Sequence, residues 1–203
     1  ITVGTDPFQR TWHLPKALLA RHSTHLAKLC SNPYRKEVLL PDIDARAFAN
    51  FVDYIHSSIY SLNDKVPDFR RLRASTEAAV LGSNLGAKDY ADAAIRQLHA
   101  SFEPLARLRT SNAKRSLIRA SDIEYVCRSD VDGVRRLFFD GVASHWMQRE
   151  VLNMVNEMDF KGDTVTWAQV YDEYEEFRTR MRETLGIVDM SRSALLRPVA
   201  EYL

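Results

Sequence analysis

His22 and His25 stand three residues apart in "RHSTHLAK", a spacing that sets two imidazoles on one side of a helical turn, and paired imidazoles can open a metal site. No Cys and no second His pair lies at ligand spacing to complete a tetrahedral set, so the pair reads as structural or surface. Neither a metal nor another cofactor is expected. His145 lies beside Trp146 on what scans as an apolar helix face, where a core histidine is a simpler reading than a general base. The seven glycines spell neither GxGxxG nor a phosphate-binding P-loop, and no serine occupies a strand-to-helix nucleophile elbow. With no constellation to carry a reaction, the chain is expected to act by binding and not as an enzyme.

Charge is the next source of chemistry. The formal net charge is +1, but Val66 to Arg119 holds ten Lys/Arg against five Asp/Glu, and Glu157 to Phe177 holds one Lys against seven acids. Both blocks read first as solvated faces, and between two chains they would attract each other. The basic run from Arg107 to Arg119 lacks interleaved aromatics and any DNA-reading motif, so a nucleic-acid partner is not expected. Asp172, Glu173, Glu175 and Glu176 make an acidic face behind the stripe Trp167, Val170, Tyr171, Tyr174 and Phe177. The stripe reads as core packing, and Glu173 and Glu176 are candidates for a partner-binding surface.

At 203 residues, 45% hydrophobic and 27% charged, the chain suffices for one good core or two small ones. No apolar run approaches the roughly 20 residues that span a bilayer, so no membrane association is expected. The start at Ile1 carries neither a basic leader nor a cleavage site and reads as a fragment. Cys30 and Cys127, the two cysteines, each sit in an apolar helical context. That favours free thiols and an intracellular compartment, cytoplasmic or nuclear.

The elements that must position these residues begin with a hairpin. Ile1 to Val3 can pair with Arg10 to Leu14 across a turn at Gly4 to Pro7, and Pro15 marks the switch into a helix carrying Leu18 and Leu19. Ser23 is placed to cap a second short helix, and "EVLLP" reads as a short buried strand. Asp44 caps a helix in which Ala47, Phe48, Phe51, Val52 and Ile55 recur at helical steps. "SLNDKVPDFRRLRAS" reads as an exposed loop before helices at roughly 76 to 85 and 89 to 100, with helix packing at Gly82 and a stop at Gly86. Beyond Pro104 a basic linker or loop leads to a capping box at Ser121 and Glu124, a helix with one face from Val134 to Trp146, and a long helix from Trp167 to Leu185 capped by Thr166 and Gln169. No strand is expected in this second half.

The order of these elements resembles the BTB/POZ domain. The family's pattern of an aromatic, an aliphatic, His-Lys, Leu-Leu and Ser-x-x-Phe lies over Trp12, Leu14, Pro15-Lys16, Leu18-Leu19 and Ser23-x-x-Leu26, with Pro15 and Leu26 as departures. "VLLPDIDARAFANFVDYIHSSIY" and "LGSNLGAKDYADAAIRQL" match the later motifs in order, and "ASDIEYVC" with "VRRLFFDGVASHW" is similar to the segment C-terminal to the domain in fungal BTB proteins. The resemblance implies an α+β fold, a small three-stranded sheet flanked by helical hairpins. It gives a BTB/POZ domain over 1–100, a basic linker over 101–120 and a helical extension over 121–203 that is BACK-like or particular to this group. It also implies protein–protein interaction and homodimer formation, with Lys16 as the basic member of a polar pocket at the dimer groove.

The same resemblance leaves two alternatives. One is a substrate adaptor for a cullin-type ubiquitin ligase, in which an aromatic, one intervening residue and Glu engage the cullin. Here Tyr34 and Glu37 are separated by two residues, both basic, so cullin binding is expected to be weak or absent. The other is the interaction module of a transcription-associated protein, whose DNA-reading domain would lie outside these residues.

Overall fold

Pro15 ends the first strand run in an extended conformation, and its carbonyl accepts the N–H groups of Leu18 and Leu19 in the first turn of the next helix. In the computed structural model, residues 1–32, 34, 36–62, 68–107, 116–146, 148, 151–152, 157–158 and 164–203 are described. They divide into two compact units, Ile1–Ile95 and Arg96–Leu203. The fold class is α+β, as expected.

In the first unit, β1 (Thr2–Val3) pairs antiparallel with β2 (Arg10–Thr11), Thr2 opposite Thr11, and parallel with β3 (Leu39–Leu40), Thr2 opposite Leu39. The sheet order is therefore β2-β1-β3. Between β2 and β3 run α1 (Lys16–His22) and α2 (Thr24–Cys30). Ser23 caps α2 as expected, its Oγ accepting the Leu26 N–H at 3.0 Å. Asp44 caps α3 (Ala45–Ser57), its Oδ1 accepting from the N–H groups of Arg46 at 2.7 Å and Ala47 at 3.1 Å. The apolar steps predicted for α3 face inward. Phe48 meets Trp12 edge to face at 5.1 Å between ring centroids, Phe51 meets Tyr90 at 5.2 Å, and Tyr54 meets Tyr90 at 5.0 Å.

Two expectations for this unit need correction. The loop expected through Ser75 ends earlier: α4 spans Asp68–Asn84, and residues 63–67 lie outside the described residues. Leu72, Ser75, Thr76 and Ala79 give α4 a buried side made partly of small polar groups, which apolar periodicity does not reveal. Thr76 satisfies its hydroxyl on the Leu72 carbonyl at 2.8 Å, and Tyr60, its phenol pushed up to about 12 by burial, donates to Ser75 at 3.1 Å. The strand read as buried is half-buried: Val38 and Leu40 point inward while Leu39 is 65% exposed.

The glycine expectations hold. A Cβ at Gly82 would come within 2.9 Å of Ala91 in α5 (Lys88–Arg107), so the two helices approach closely there. Gly86 has φ +59° and closes α4, a conformation that costs glycine little.

The second unit is built around α7 (Asp132–Ala143), which is buried along Val134, Leu137, Phe138, Phe139 and Val142. Residues 101–107 are the end of α5, which continues past Pro104, and 108–115 of the expected linker lie outside the described residues. The helix expected to open with a capping box at Ser121 and Glu124 begins earlier, and only the Asp122 half of such a box is made. The helix α6 (Ala120–Cys127) begins after Arg119, whose N–H donates to the Asp122 carboxylate at 3.0 Å. A two-stranded antiparallel ribbon, β4 (Glu157–Met158) with β5 (Thr164–Val165), is present where no strand was expected, because two-residue strands carry no readable alternation. The long helix predicted over 167–185 breaks at Tyr174 (φ −103°, ψ 101°) into α8 (Trp167–Glu173) and α9 (Glu175–Glu183). The Thr166 and Gln169 capping box opens α8 as expected. The Arg178 guanidinium covers the broken end, donating to the carbonyls of Tyr171 at 3.3 Å and Asp172 at 2.7 Å. Two 3-10 segments, Asp189–Leu195 and Val199–Glu201, complete the unit.

Candidate functional site

Lys16 opens α1 with its side chain in solvent, and its Nζ donates to the Asn32 carbonyl at 3.2 Å. The side chain of Asn32 in turn accepts the Tyr34 N–H at 2.9 Å, a local turn that fixes the main chain at Tyr34. Tyr34 itself is 88% exposed. Lys16 and Tyr34, separate in sequence, are thus brought to one surface through a single asparagine. Glu37 is exposed on the same segment, directly before the Val38 carbonyl that accepts the Thr2 N–H at 2.9 Å and ties the segment to the sheet.

Leu39 of β3, opposite Thr2 in the sheet and 65% exposed, was missed by sequence reasoning. In "EVLLP" the alternation Val38 in, Leu39 out, Leu40 in was the available signal, and it was obscured by three consecutive apolar residues. Among the described residues β3 pairs with β1 alone, at one edge of the three-stranded sheet, with Leu39 exposed on it. Lys16 and Tyr34 thus offer a cation and a phenol through Asn32, and Glu37 and Leu39 are separately exposed farther along the chain, groups suited to polar and apolar contact.

In the second unit, Glu173 and Glu176 are exposed, as expected for an acidic face. Glu176 pairs with Arg135 of α7 at 3.1 Å, so part of its charge is used within the unit. Glu175, Glu176, Thr179, Arg180 and Glu183 line a shallow depression along α9. The aromatic stripe is core. Trp146 stacks on Tyr171 at 5.9 Å and meets Trp167 at 6.2 Å and Phe177 at 5.7 Å.

Of the other residues weighed for chemistry, His25 is exposed and Cys30 half-buried. His22 packs against Tyr54 at 6.1 Å, and among the described residues no group of His, Cys, Asp and Glu is placed to hold a metal ion. Cys30 and Cys127 are free thiols, and burial pushes the Cys127 thiol up to about 12, outweighing the nearby Arg135. Asp140, a carboxylate inside α7 that sequence reasoning passed over, is buried and bound at Oδ1 by Arg180 (Nη2 at 2.6 Å, Nε at 2.8 Å) and at Oδ2 by the Tyr202 hydroxyl at 2.8 Å. Its signal was a charge set within the apolar run "LFFDGV". Among the described residues no helix is long and apolar enough to cross a membrane. A scan against protein-family models and a search of curated proteins return no match to this chain.

Proposed function

We propose that the chain is a non-catalytic protein-interaction and self-association module of BTB/POZ type. The order of elements in the first unit carries this reading: a β-hairpin, two short helices, a third strand parallel to the first, one amphipathic helix and a close helical pair joined at Gly86. The motifs "WHLPKALL", "VLLPD" and "LGSNLGAKDY" occupy these elements in the order the resemblance requires. Exposed Tyr34, linked to Lys16 through Asn32, and exposed Leu39 on β3 supply anchors for association, and the basic and acidic blocks of the chain supply complementary charge between copies. Light scattering tests it: a dimer mass at low salt that shifts toward the monomer at high salt is expected. A monomer mass at every concentration in low salt would overturn it.

The exposure of Tyr34 favours one second reading, a cullin-type ligase adaptor. Against it stands the two-residue gap before Glu37, which displaces the carboxylate by about 3.3 Å in extended chain relative to a one-residue gap. Calorimetric titration with a cullin N-terminal domain separates the two. Sub-micromolar affinity that disappears in Tyr34→Ala would make the adaptor reading the better one.

A further inference from the structure

The stretch 197–203 lies against α7 as a strap. Its Tyr202 is buried, at 2% exposed, while Arg197, Pro198, Ala200, Glu201 and Leu203 are exposed. Beneath it, Gly133, Arg136 and Asp140 follow one another at three- and four-residue steps and so share one face of α7. Each of the three meets the strap. A Cβ at Gly133 would collide with the Tyr202 carbonyl oxygen, so glycine leaves room there for the strap's main chain. The Arg136 Nη2 donates to the Glu201 carbonyl at 3.1 Å, and from α5 the His99 Nε2 lies 2.8 Å from the Arg197 carbonyl oxygen. Asp140 receives the one buried side chain. Its Oδ1 is held by Arg180, and its Oδ2 accepts the Tyr202 hydroxyl at 2.8 Å, with the Arg197 Nε farther off at 3.8 Å.

The α5 and α7 side chains thus bond main-chain carbonyls, and a single aromatic anchor is read by a carboxylate. That division is the one by which proteins bind peptides: main-chain bonds serve many sequences, and the anchor supplies specificity. The strap shapes itself for the purpose. Its Glu201 N–H donates to the Pro198 carbonyl at 3.0 Å, its Tyr202 N–H to the Val199 carbonyl at 3.0 Å, and its Arg197 N–H to the Tyr202 hydroxyl at 2.9 Å. Its hold on the unit is shallow, one buried side chain with polar contacts at exposed positions, the profile of a segment that opens before the core does.

We propose that this face of α5 and α7 is a docking groove for a partner peptide with a tyrosine four residues after a proline, and that strap 197–203 is its resident, autoinhibitory occupant. The anchor must carry a hydroxyl, because a phenylalanine in its place would take from the buried Asp140 Oδ2 its closest donor. The groove lies wholly in the second unit and does not depend on self-association through the first.

The test is amide hydrogen exchange of the isotope-labelled full chain with an unlabelled, C-terminally amidated peptide of the sequence RPVAEYL, and with the same peptide carrying Tyr202→Phe. The peptide captures the groove whenever the strap is out. Exchange at Arg197 and Tyr202 of the chain is therefore expected to rise with peptide concentration, about tenfold at about ten times the peptide's Kd, while α7 stays protected. The phenylalanine peptide should need about ten times the concentration for the same rise, the fold-change for losing a hydrogen bond to a charged group. Strap exchange that does not respond to the peptide, equal action of the two peptides, or α7 amides that exchange in step with the strap would overturn it.

Discussion

The Ser23 hydroxyl donates to the Leu85 main-chain carbonyl at 2.6 Å while accepting the Leu26 N–H at 3.0 Å. One buried side chain therefore caps α2 and holds the end of α4, and the neighbouring bond from the His25 N–H to the Leu85 carbonyl, at 3.1 Å, shares the same acceptor. The helical hairpins of the first unit are joined at this point. Ser23→Ala removes the cap and one bond to a buried carbonyl, an expected cost of about 1–2 kcal/mol read from urea unfolding. A variant with wild-type stability would show that the junction is held elsewhere.

Gly86 guards the same junction. A Cβ there would lie 2.0 Å from the Thr24 Oγ1, on a backbone with φ +59°. Gly86→Ala should destabilise by more than the roughly 1 kcal/mol expected for placing a non-glycine residue at such a φ, because the steric conflict adds to the strain. The double variant Gly86→Ala, Thr24→Ala should recover part of the loss in thermal melting.

In the second unit, Trp146 touches Trp167, Tyr171 and Phe177. Trp146→Ala is expected to cost about 3–5 kcal/mol, the range for truncating a buried aromatic. Wild-type thermal stability would remove this cluster from the core.

Asp140 and Tyr202 make a separable pair of predictions. Tyr202→Phe deletes the hydrogen bond to a buried carboxylate and the acceptor of the Arg197 N–H, and should cost about 1–3 kcal/mol. Asp140→Ala also takes from Arg180 its buried partner, leaving it the longer contact with Glu183 at 3.4 Å, and should cost more, on the order of 3–5 kcal/mol. Equal losses in chemical denaturation would indicate that Glu183 alone satisfies Arg180.

Asp44 links stability to pH. Burial pushes its carboxyl up, but the N–H groups of Ala47 and Arg46 and the Arg46 guanidinium outweigh that and hold it below the usual range. The folded chain therefore releases this proton more readily than the unfolded one. The stabilisation is present above the unfolded value of about 3.9 and is lost as pH falls through the lower folded value. Unfolding midpoints of wild type and Asp44→Asn, measured from pH 7 to 3, should converge at the acid end.

What the sequence made legible was local. Ser23, Asp44 and Thr166 each cap a helix through a partner two or three residues away, so type and spacing suffice to find them. Gly82 and Gly86 were equally readable as a contact and a stop. The start of α4 was hidden because Ser75 and Thr76 face inward with their hydroxyls satisfied nearby, which mimics a polar loop in sequence. The break at Tyr174 was hidden for the opposite reason: the aromatic stripe continues in register across it, Trp167 and Phe177 both reaching the same core. Of the candidate site, Lys16 and Tyr34 were legible separately. Their connection through Asn32 and the outward turn of Leu39 depend on tertiary placement that no local pattern encodes.

Self-association through the exposed face of β3 at Leu39 is the central claim, and sedimentation velocity across a micromolar concentration series tests it most directly. Wild type is expected to sediment as a dimer at the upper end of the series, and Leu39→Glu, which sets a charge on that face without touching the core, as a monomer throughout. A wild-type chain that remains monomeric over the whole series, or a Leu39→Glu chain that dimerises as well as wild type, would contradict it.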